Sequence, residues 1–145
     1  MTDTIDLADV RQSGAWLIGE STLDVLGEEA CVQGHLVRRI SLAACRDKRD
    51  LLRRIAEALA FPPTFGMNWD ALADCLGDLG WLPPVGGYAW LFDHVEDLRN
   101  ASASDFDTLC GVLDGACACW KERGTPCFAF LGLPDDGDKG STADA

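Results

Sequence analysis

The sequence contains no run of 18 or so apolar residues, and its opening MTDTIDLADV has neither the basic start nor the apolar stretch of a secretory leader. A cytoplasmic protein without membrane contacts is expected. Cations are scarce too: 12 Lys and Arg stand against 24 Asp and Glu, a formal net charge of −12. Phosphate contacts draw mainly on Lys and Arg, so the charge argues against a direct nucleic-acid partner. Only two histidines occur. His35 precedes one predicted strand, His94 follows another, and neither has a nucleophile or carboxylate at a recognisable spacing, so both read as packing or surface residues. The seven cysteines are odd in number and include no CxxC pair, which points to free thiols. Cys117 and Cys119, two apart on a predicted helix, point different ways and cannot face one ion. Glycine-rich phosphate loops, G-x-S-x-G and HExxH are missing as well. No enzyme, metal or cofactor is expected.

What is present suits one α/β domain. At 145 residues and 48% hydrophobic content the chain supports a single core. Short apolar runs, AWLI (15–18), LVRRISL (36–42), YAWLF (88–92) and CFAFL (127–131), read as strands, the last two buried on both faces. Helical periods lie between them. Ser21 is placed as the cap of a helix carrying Leu23, Leu26 and Ala30, which Gly34 ends. A second helix, about 48–60, presents Leu52, Ile55, Ala56 and Leu59 and stops at Pro62 and Pro63. A third, about 69–79, starts at Asn68 with Trp69, Leu72, Ala73, Leu76 and Leu79 inward. A fourth, about 105–122, carries Phe106, Leu109, Cys110, Leu113, Cys117 and Trp120, with Ser104 and Asp107 as its capping box and Gly124 as its end. Strands separated by amphipathic helices form a small parallel sheet packed with α-helices.

The stretch FGMNWDALADCL (65–76) poses the functional question. Asp70, Asp74 and Asp78 follow the i, i+4, i+8 row, about 6 Å from one to the next, mostly away from the core. Like charges so placed destabilise an isolated helix. The helix dipole favours Asp70 in the first turn but leaves Asp74 and Asp78 unexplained. A solvated face is one reading. Acid–base catalysis is a weaker one, because residues on one exposed row share an environment, and two carboxylates alone make a poor magnesium cage. The charge is also unevenly placed: residues 38–54 hold seven basic side chains against Asp47 and Asp50, and residues 61–107 hold eight acidic ones against Arg99 alone. A one-sign field of this kind speeds encounter with a basic partner.

The run LLRRIAEALAFPPTFGMNWDALADCLGDLGWLP (51–83) closely resembles the barstar family, intracellular inhibitors of barnase-type guanyl-specific ribonucleases. The resemblance continues more loosely through GGYAWLF, WKERGTPC and the last strand, covering about 36–132. It implies a barstar-like α/β fold with three core strands, to which residues 1–34 add a strand and a helix within the same domain. An inhibitor domain would then span 35–132, with a disordered acidic tail over 133–145. It also implies that the acidic helix and preceding loop plug a basic ribonuclease active site, carboxylates standing where RNA phosphates go. Asp74 matches the family's central aspartate, Asp70 its neighbour, Phe65 and Gly66 the loop's second aromatic and glycine, and Asn68 the helix-starting Asn. Trp69 and Asp78 complete the expected partner surface with Thr64 and Ala73. The last two stand where the family has aromatics, and Cys119 where it has an acidic contact. Barstar and barnase are themselves the reference case for charge-steered binding, so the scale of that effect belongs to the family. An immunity or interaction protein of the same fold, directed at a different toxin or basic partner, stays open beside the ribonuclease inhibitor.

Overall fold

The computed structural model describes residues 5–83 and 85–134. After a 3-10 turn at Val10–Gln12 the elements run β1 (Gly14–Gly19), α1 (Glu20–Val32), β2 (Leu36–Ser41), α2 (Lys48–Ala58), α3 (Trp69–Asp78), β3 (Tyr88–Asp93), α4 (Val95–Ala101), α5 (Ala103–Glu122) and β4 (Cys127–Leu133). The strands form one sheet in the order β1-β4-β3-β2, every pairing parallel. Parallel neighbours need crossover connections, and the helices supply them.

β3 and β4 lie in the middle, and each alternates its side chains between two cores, as the two-residue strand period requires. Tyr88, Trp90, Phe92, Cys127, Ala129 and Leu131 pack with the buried faces of α2, α3, α4 and α5. Ala89, Leu91, Phe128 and Phe130 face the other way, against Leu7 and the α1 residues Leu23, Leu26 and Ala30. Gly27 lets α1 lie close on this face, since a Cβ there would stand 2.8 Å from Leu91 Cδ1. His35 packs under the same layer, its Nε2 2.8 Å from the Leu7 carbonyl. The N-terminal strand and helix thus cover a sheet face that would otherwise expose two phenylalanines.

Several expected boundaries shift for local reasons. α1 begins at Glu20 with Gly19, not Ser21, at the cap position. α2 closes at Ala58, before the two prolines, because Leu59 and the left-handed Ala60 turn the chain and Phe61 N–H donates to the Ala56 carbonyl. Ser102, not Ser104, precedes α5, and its hydroxyl donates to Asp105 at 2.9 Å. α4 was not anticipated: seven residues with only Val95 and Leu98 buried are too few for a helical period to show. Ala73, expected inward, is exposed. β4 continues to Leu133, and the expected acidic tail beyond Pro134 lies outside the described residues. Among the described residues no helix is long and apolar enough to cross a membrane.

The cover formed by α1 makes a direct prediction. Leu23 is fully buried, so Leu23→Ala should lower the unfolding free energy by about 2–5 kcal/mol. Val32, on the same helix and 85% exposed, should tolerate alanine at a cost of about 0.5 kcal/mol or less. Urea unfolding of the two variants checks the contrast.

Candidate functional site

The acidic helix α3 is fixed at both ends. On the entry side Phe65 N–H donates to the Pro62 carbonyl at 3.0 Å. Phe61 meets Phe65 edge-on at 4.9 Å and Trp81 edge-on at 5.8 Å between ring centroids. Trp81 Nε1 donates to the Leu59 carbonyl at 2.9 Å, answering one of the open carbonyls at the end of α2. These three aromatics pin the loop that carries Thr64, Phe65 and Gly66. Met67 then adopts a left-handed conformation, φ 54°, and Asn68 caps the helix. Its Oδ1 accepts from Ala71 N–H at 2.8 Å while its Nδ2 donates to the Gly66 carbonyl at 3.3 Å.

At the other end, α5 and the residue that caps it, Arg123, supply donors for carbonyls that α3 cannot satisfy alone. Trp120 Nε1 donates to the Leu76 carbonyl and Arg123 to the Gly77 carbonyl, both at 2.8 Å. The Arg123 guanidinium also lies 4.2 Å above the Trp120 ring, so a cation sits at the negative end of the helix dipole. Leu79 closes the helix in the left-handed conformation, and Gly80 N–H donates to Asp78 Oδ1 at 3.1 Å.

Between these clamps Asp70, Ala73, Asp74 and Asp78 are exposed, as are Thr64, Gly66 and Asn68 in the loop, while Phe65 and Trp69 are half-buried against the core. The nine predicted residues therefore occupy one short segment, with seven open to solvent and two anchoring it. Cys119, on α5, is also exposed.

The charge pattern separates α3 from its surroundings. Arg39 pairs with Asp24 at 2.6 Å and Asp93 at 3.1 Å. Arg54 pairs with Asp50 at 2.9 Å, and Arg53 with Asp50 and Glu57. Three of the seven basic side chains of the stretch 38–54 are thus paired with nearby carboxylates. Asp70, Asp74 and Asp78 have no ion-pair partner among the described residues. Their field is felt next door: burial first, then the charges of Asp78 and Asp74, push the half-buried Cys75 thiol above its ordinary range.

Sequence reasoning missed the clamps. Trp81, Trp120 and Arg123 act across 22, 44 and 46 positions, and the only signal was that a partly buried indole N–H needs an acceptor. It also set His94 apart from carboxylates, whereas the fold brings Glu20 and Glu96 to it. That trio is the only group of three metal-ligating side chains among the described residues, and none of its members belongs to α3 or its loop.

The family model described as Barstar (barnase inhibitor) matches residues 35–132, more than half of the chain. Among solved structures, a chain in the structure of Drosophila ORC bound to DNA superposes with a TM-score of 0.55 over 89% of this chain at 16% identity. This chain spans 34% of that chain's length, and at such identity the likeness shows the fold alone. No curated protein matches.

The N-cap gives the prediction for this segment. Asn68→Ala should cost about 1 kcal/mol, and Asn68→Asp or Asn68→Ser should retain most of the stability. Urea midpoints of the three variants measure it.

Proposed function

The chain belongs to the barstar family, and from that membership we propose that it is a protein inhibitor of a cytotoxic, barnase-like ribonuclease, acting in the cytosol through α3 and the loop before it. One observation carries the reading: three exposed carboxylates lie along a helix clamped at both ends, with no cation of the described chain to answer them. A ribonuclease holds RNA phosphates with Arg, Lys and His side chains. Fixed carboxylates take the same charge-assisted hydrogen bonds, and a helix already ordered loses little conformational freedom on docking.

Asp74 is the central group, placed mid-row to enter the phosphate pocket, with Asp70 and Asp78 meeting flanking cations. Thr64, Phe65, Gly66 and Asn68 shape the loop beside it. Trp69 supports the surface from below, and the small, exposed Ala73 adds little bulk to it. Residues 35–132 constitute the inhibitor unit and residues 1–34 an addition within the same domain. The family is one of inhibitors, and the proposal includes no catalytic step.

A second reading keeps the same surface but changes the target to another basic toxin. It is favoured by Thr64 and Ala73, where the family resemblance leads one to expect aromatics, and by Cys119, where it leads one to expect an acid. These substitutions alter contact shape and remove one charge but leave the carboxylate row intact.

Inhibition assays of Asp70→Ala, Asp74→Ala and Asp78→Ala against a barnase-type ribonuclease test the proposal. Asp74→Ala should raise the inhibition constant most, by about tenfold or more, because it leaves a basic pocket unpaired. Far-UV circular dichroism should be unchanged, since the side chain is exposed. Equal inhibition by wild type and Asp74→Ala would contradict the assigned role. If wild type leaves such enzymes active but binds another basic protein through Asp74, the second reading holds.

A further inference from the structure

A separate cluster lies at the carboxyl ends of the parallel strands, the edge where ligands of open α/β sheets gather. Glu20 opens α1 directly after β1, His94 follows the last residue of β3, and Glu96 lies in the first turn of α4. β1 and β3 flank β4, so side chains far apart in sequence meet there. His94 Nδ1 stands 3.7 Å from Glu20 Oε2 and 3.6 Å from Glu96 Oε2, and the three donor atoms lie within 4.8 Å of one another.

These separations exceed the roughly 2.7–2.9 Å of a charge-assisted N–H to carboxylate hydrogen bond. They approach the donor-to-donor spacing of about 3.3–3.6 Å that follows from metal–ligand bonds of about 2.0–2.2 Å in a tetrahedral site. The imidazole is therefore not committed to either carboxylate through a short hydrogen bond. The other oxygen of Glu96, Oε1, is itself shut off from solvent and takes no hydrogen bond among the described residues, and the same holds for Oδ1 of Asp93, the residue before His94. Buried carboxylate oxygens are normally answered by a donor or a cation. The nearby cation, Arg39, is already shared between Asp24 and Asp93 Oδ2. The backbone is set for the arrangement as well, with His94 left-handed at φ 54° and its N–H donating to Glu20 Oε2 at 3.0 Å.

We propose that Glu20, His94 and Glu96 bind a divalent transition-metal ion of the zinc class. One imidazole nitrogen with two carboxylates suits such ions, and the half-exposed His94 leaves room for water to complete the coordination. The bound ion joins the β1–α1 junction to the β3–α4 turn. Its role is structural, tying the first 34 residues to the rest of the domain, and it does not depend on the ribonuclease reading.

Full-length protein titrated with Co²⁺ as a spectroscopic probe, and heated with and without Zn²⁺, tests the site. One Co²⁺ per chain should give visible d–d bands without thiolate-to-cobalt charge transfer, and Zn²⁺ should raise the thermal midpoint. Both effects should vanish in His94→Ala and in the milder Glu96→Gln, and persist when the exposed Cys31 and Cys119 are replaced by serine. No stoichiometric cobalt binding, binding that survives both ligand substitutions, or a signal carried by the cysteines would each overturn the proposal.

Discussion

A helix that sets three carboxylates in one row spends part of its own stability on their repulsion, and the surrounding structure is organised around holding that helix still. Asn68 answers one of its first free amides, Trp120 and Arg123 answer two of its last carbonyls, and Leu72 and Leu76 on its inner face are fully buried. Arg123 does so with its charge turned toward the backbone and the indole rather than toward the aspartates. The cation that could have quenched the row stabilises its end instead. The acidic surface thereby stays both ordered and unpaired, the combination a rigid inhibitor of a basic site requires.

The sheet gives this arrangement its footing. α3 packs on the face that also carries α2, α4 and α5, and α5 links the far end of α3 to β4. The opposite face is closed by α1, so the central strands are buried on both sides and cannot shift without disturbing both cores. β1 and α1 thus pair with and pack on the rest of the sheet, although no residue of the acidic surface belongs to them.

Local signals were readable in the sequence. The Asn68 cap, the exposed Asp70, Asp74 and Asp78 row, and the two strands buried on both faces each depend on a few adjacent residues. The family motif added an expected role for the loop. What escaped depends on contacts across the fold. Nothing near Trp120 says that its N–H reaches Leu76, and nothing near His94 announces Glu20, 74 positions away. Ala73 escaped for another reason: a small apolar residue fits a helix's buried stripe or its surface equally well, and position on the helical wheel alone did not separate the two. The short α4 fell below the length at which periodicity has meaning.

Charge is thus partitioned rather than merely abundant. Arg39, Arg53 and Arg54 are paired with neighbouring carboxylates, whereas the row on α3 has no ion-pair partner among the described residues, and the proposal is that its field serves an incoming basic partner. That claim is tested most directly by stopped-flow association with the basic target as ionic strength rises from about 10 mM to about 300 mM, which shortens the Debye length from about 30 Å to roughly 6 Å. The association rate should fall several-fold or more while dissociation changes less, because the approach is exposed to salt and the docked carboxylates are not. An association rate that stays flat across that range would mean that the acidic face is only a solvated surface.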